Sequence, residues 1–119
     1  MKKLIILAMV LFSSASFAGG IECAYQLHDE TGHTTAAPKS FGTMYTLEDE
    51  AWVDTDGYRF WANKMGDNTV GVVIINFKNN YISNAIGTWV GYDTYSVMAQ
   101  QGEGDGTGRG ATILCKLVD

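Results

Sequence analysis

The chain has two cysteines, Cys23 and Cys115, and each lies in phase with an apolar alternation. Ile21, Cys23, Tyr25 and Leu27 form one run, and Ile113, Cys115 and Leu117 the other. Period-two alternation is the pattern of a strand with one covered face, so both thiols point inward from strands near the two ends. An even cysteine pair in an exported protein is read first as a disulfide. Such a bond needs Cα atoms usually about 4.4 to 6.8 Å apart, which makes the first and last strands neighbours. It would close a loop of 93 residues, counted inclusively from Cys23 to Cys115, for which the chain-entropy model gives roughly 4 to 5 kcal/mol. A redox or metal-binding role for the thiols has neither a CxxC spacing nor a neighbouring histidine behind it.

Export is expected from the opening residues. Met1 to Lys3 is basic, Leu4 to Phe12 is an unbroken apolar run, and Ser16-Phe17-Ala18 offers the small residues that a signal peptidase accepts. Residues 1–18 are therefore expected to be removed, leaving 19–119 as a single β domain in the periplasm or outside the cell. The apolar run is far shorter than the roughly 20 residues a membrane helix needs, so no membrane span is expected. Ile21-Glu22 before Cys23 makes a poor lipoprotein signal. Loss of Lys2 and Lys3 leaves 6 basic against 13 acidic residues, a net charge of −7 where the full chain carries −5. With the remaining bases scattered from Lys39 to Lys116, nucleic acid and anionic membrane surfaces are excluded as partners, and a basic protein is favoured.

Between the two end strands, strands are expected at about 41–47, 51–56, 58–64, 69–77, 81–90 and 94–101, which makes eight. Asp56-Gly57 and Asn79-Asn80 mark hairpins, and Gly66-Asp67-Asn68 and Gly91-Tyr92-Asp93 further turns. No window of twelve or more residues has helical spacing with a cap. The fold class is all-β: a small antiparallel barrel or sandwich of about eight strands, its first and last strands linked by a disulfide. An even strand count sets strand eight antiparallel to strand one and lets the sheet close, which favours the barrel. Val70 to Ile75 is apolar on both faces and reads as a central strand covered on each side.

Several clusters invite a chemical reading and also have a plainer one. His28, Asp29, Glu30 and His33 could ligate zinc or copper, but the spacing does not fit a helical H-E-x-x-H site and Thr31-Gly32 makes the segment a solvated turn. Asp54-Thr55-Asp56-Gly57 echoes the start of a calcium loop without its third acid or distant glutamate. The glycines at every second position from Gly102 to Gly110 lack the Gly-Lys-Ser/Thr ending of a phosphate loop, and Glu103 and Asp105 would repel phosphate. This segment reads as a flexible connector, with Arg109 as the polar anchor if it serves recognition. Acid pairs Glu48 with Glu50 and Asp54 with Asp56 exist, but no nucleophile stands beside a base. No catalytic residue, cofactor or metal is expected.

Aromatic residues, 12% of the chain, are too many for so small a core to hide. Phe60 and Trp61 must face opposite sides of one strand. Trp52, Trp61, Trp89, Tyr92 and Arg109 are accordingly the candidate binding residues. The favoured role is a non-catalytic protein that binds a protein partner as an inhibitor or immunity factor. A glycan-binding module with Trp61 or Trp89 as its platform is the alternative.

The stretch from Asp56-Gly57-Tyr58-Arg59-Phe60-Trp61 through Gly66-Asp67-Asn68-Thr69-Val70 resembles the periplasmic C-type lysozyme inhibitors, small disulfide-linked β-barrels. The resemblance implies a cationic lysozyme as partner. It spans 15 residues, and the chain has no Ser-Gly dipeptide before the hairpin where that family carries its Ser-Gly-x-x-Tyr loop, so no inhibitory residue carries over.

Overall fold

The computed structural model describes residues 19–34, 36–87, 94–104 and 106–118. Asp56 and Gly57 take φ of 54° and 84°, the mirror-image turn whose twist matches that of its flanking strands. They join β3 (Glu50–Thr55) to β4 (Tyr58–Lys64). Asn80, at φ 61°, closes the turn between β5 (Val70–Asn76) and β6 (Tyr81–Gly87). There Asn76 Oδ1 accepts from the Lys78 amide (2.9 Å) and Asn79 Oδ1 from the Tyr81 amide (3.1 Å). The remaining strands are β1 (Gly20–His28), β2 (Lys39–Met44), β7 (Ser96–Gly102) and β8 (Gly110–Val118). Among the described residues eight strands lie close to where the alternation predicts them. The end of the expected strand at 81–90 falls outside the described residues.

Cys23 and Cys115 stand directly opposite each other in the antiparallel β1–β8 pair, with Cα atoms 4.1 Å apart and sulfurs bonded. The expected tie between first and last strands is therefore present, at the centre of a sheet ordered β2-β1-β8-β7. The second sheet is ordered β3-β4-β5-β6, and neighbours in both are antiparallel. The inward residues Ile21, Met44, Phe60, Val72, Ile74 and Ile113 are fully covered between the two sheets with the disulfide. The Tyr25 and Phe60 rings stack across that core at 4.8 Å.

The barrel favoured by the strand count is not closed, and the fold is a sandwich with two seams that lack ladder hydrogen bonds. Side chains pack across both seams. A bulge in β7 at Val97–Ala99 leaves Met98 out of its pairing with β8, and at the β6–β7 seam Met98 lies over Gly87, where a Cβ would meet Met98 Sδ at 2.5 Å. Buried Gln101 stitches this seam through its Nε2, which donates to the Ile74 carbonyl (3.1 Å) and Ser83 Oγ (3.0 Å). At β2–β3, a Cβ on Gly42, at φ 152°, would come within 2.6 Å of Ala51 Cβ.

β5 is central within its sheet, as its composition suggests. Only its inner side is fully covered: Val73 and Ile75 on the outer side are half-buried among neighbouring side chains. No described helix is long and apolar enough to cross a membrane.

Candidate functional site

Register builds the site. From the Asp56-Gly57 turn, Thr55 pairs with Tyr58, and three steps further out along both strands Trp52 meets Trp61. Both indoles project from the outer face of the β3-β4-β5-β6 sheet, Trp52 54% and Trp61 37% exposed. Phe60, one residue from Trp61, is wholly inside, so the two do face opposite sides. The ladder through the tryptophans continues to Val73 and Asn84, and the next one runs Asp54, Arg59, Ile75, Ile82. Ile82, Ile86, Phe77 and Met65 are also exposed. The result is an apolar face crossing four strands with an aromatic pair toward the β3 side.

Charges sit at one margin of this face. Asp54 takes two hydrogen bonds from Arg59, at 2.7 Å from Nε and 2.9 Å from Nη2. That guanidinium holds the Asp54 carboxyl below its ordinary range and is itself held further up. It lies 4.8 Å from the Trp52 ring centroid and 5.7 Å from that of Phe77. Beside it, the Trp61 indole N–H donates to Glu50 Oε2 at 3.2 Å. Glu50, Trp52, Arg59, Trp61 and Ile75 line an open cleft of about 390 Å³. A neighbouring hollow of about 530 Å³ is lined by Asn63, Met65, Val73 and Ile86 among others.

No family model, curated protein or solved structure matches this chain. The face is therefore read from its own residues.

Of the five candidate binding residues, Trp52 and Trp61 come together on one face. Trp89 and Tyr92 lie outside the described residues. Arg109 stands in a different set of contacts, where it pairs with Glu30 and ties the β7–β8 loop to the β1–β2 loop. That glycine-rich loop is bonded down rather than free. The Gly108 amide donates to the Glu30 carbonyl (2.8 Å), Asn79 Nδ2 to the Glu103 carbonyl (2.6 Å), and Glu103 Oε2 accepts from Tyr58 (2.8 Å) and Lys78 (3.0 Å).

The histidine-rich segment has local partners. Asp29 Oδ1 caps the Thr31 and His33 amides, His28 bonds Thr112, and His33 Nδ1 meets the Thr31 hydroxyl. Among the described residues no group of three or more His, Cys, Asp or Glu is placed to hold a metal ion.

Arg59, Phe77, Ile82 and Ile86 were not singled out from the sequence. Their signal is phase: Arg59 is reached by counting across the Asp-Gly turn, and Phe77, Ile82 and Ile86 by carrying the alternation on through the next two turns.

Proposed function

We propose that this is an exported, non-catalytic binding protein that docks on a protein partner through the outer face of β3 to β6, as an inhibitor or immunity protein does. The observation behind this is the width of the apolar face: Trp52, Trp61, Phe77, Ile82 and Ile86 stay open to solvent on strands and a turn of one sheet. Contiguous exposed apolar surface of more than a few hundred Å² is uncommon on proteins that work alone, and tryptophan is the residue most enriched at binding hot spots. Glu50, Asp54, Asn63 and Asn84 supply the polar rim such a patch needs.

A glycan platform is favoured by one feature, the side-by-side indoles with carboxylates and a guanidinium beside them. The exposed aliphatic pair Ile82 and Ile86, 65% and 62% open, favours a protein, since isoleucines give a sugar ring no stacking surface.

The test is a partner captured from the envelope and secreted fractions, purified, and titrated calorimetrically against wild type and the Trp52→Ala/Trp61→Ala protein. Binding at about 1 μM or tighter, weakened about 100-fold or more in the double variant, is expected. Saturable quenching of tryptophan fluorescence by cell-wall oligosaccharides, with no purified protein binding, would replace the protein reading by the glycan one.

A further inference from the structure

The outer face contains the same chemical unit twice, once filled and once open. In the first copy the Trp52 ring and the Asp54 carboxylate hold a guanidinium between them, that of Arg59, with ring and cation 4.8 Å apart. In the second, the Trp61 ring is joined to the Glu50 carboxylate through its indole N–H. Among the described residues no basic side chain stacks on Trp61, and the cleft of about 390 Å³ opens between these two groups, Trp52 and Ile75, with Arg59, its charge taken up by Asp54, on its wall. An aromatic face attracts a cation through its quadrupole, more strongly as water is removed, and a carboxylate alongside supplies the charge-assisted hydrogen bond. Arg59 shows that this sheet surface accepts a planar cation in that geometry.

Taking the docking face above as given, we infer that its partner is a basic protein that seats an arginine or lysine side chain in the cleft against Trp61 and Glu50. The surrounding charge supports this occupant. The β3 edge and its turns carry Glu48, Glu50, Asp54 and Asp56, and the single base on the face among the described residues, Arg59, is already engaged by Asp54. β6, on the far side, has no charged residue. The partner surface is thus apolar where it meets β5 and β6 and basic where it meets β3. A second copy of this chain fits poorly, because each copy brings a net charge of −5 and no unpaired base to the same face.

The experiment uses ¹⁵N-labelled full domain and three small probes: the N-acetyl methylamides of arginine, of its neutral isostere citrulline, and of norleucine. The readout is the set of tryptophan indole resonances, assigned with Trp→Phe variants. The arginine probe is expected to shift the Trp61 indole saturably with a dissociation constant of about 1 to 30 mM, and citrulline to bind at least about fivefold more weakly. Glu50→Gln, and separately a rise in salt, should reduce arginine binding by a similar factor. Equal binding of arginine and citrulline, or no shift of Trp61 at about 100 mM probe, overturns the inference. If norleucine alone shifts the face, the basic partner is wrong while the protein-docking role stands. If only oligosaccharides shift the indoles, both fall.

Discussion

Glu103 keeps its charge with only 9% of its side chain exposed. Burial pushes its carboxyl up, and hydrogen bonds from Tyr58 and Lys78, with the charges of Lys78 and Arg109, outweigh that and bring it below the ordinary range. A carboxyl lowered in the folded state stabilises the fold above its unfolded value, and that stability is lost as pH falls below about 4.3. Glu103→Gln is therefore expected to flatten the fall in urea midpoint between about pH 5 and 3. Tyr95 acts at the other extreme: burial and the Glu22 carboxylate, 2.9 Å away, push its hydroxyl up to about 12. Its contribution is present below about pH 10 and lost above, so Tyr95→Phe should soften alkaline unfolding. Gly57→Ala should lower stability by about 1 kcal/mol or more in urea unfolding, because φ is 84° and the new Cβ would stand 2.7 Å from Lys78 Cε. The role of Gly57 is readable from the Asp-Gly pair. That of Glu103 is not, since its partners Tyr58 and Lys78 come from distant strands and turns.

Strands were the most legible level, because alternation and turn chemistry act locally. The Asp56-Gly57 turn even fixes the Trp52–Trp61 pairing, once the hairpin is taken as two-residue. The glycine-rich loop was harder: its residues predict a flexible connector, and what ties it down is the Glu30 carbonyl, Asn79, Tyr58 and Lys78, none of which is near in sequence. The β1–β8 staple gives the clearest prediction for an element. Cys23→Ser/Cys115→Ser should lose roughly 4 to 5 kcal/mol, the loop-closure value, and reduction should reproduce this in wild type. A loss under about 1 kcal/mol on the same denaturation curves would show that the bond constrains little beyond what the strand pairing already does.

For the whole molecule, strand count could not decide between barrel and sandwich. Closure depends on whether backbones at the two seams pair in a ladder, which is set by contacts between strands far apart in sequence, such as Met98 over Gly87. Gln101→Ala should cost about 1 to 3 kcal/mol, because it leaves the seam without the donor shared by Ile74 and Ser83. The division between the inner and outer faces is testable too. Phe60→Ala, in the core, should cost about 3 to 5 kcal/mol. Trp52→Ala and Trp61→Ala should each move the thermal midpoint by an amount equivalent to about 1 kcal/mol or less.

The pairing of β1 with β8 also sets an order of events. β1, made earliest of the eight strands, has its longest ladder with the one made last, from Gly20 opposite Val118 to His28 opposite Gly110. During synthesis the β3-β4-β5-β6 sheet has all its strands early, whereas β1 waits for β8 to join it to β7, so the two halves of the sandwich become complete at different times.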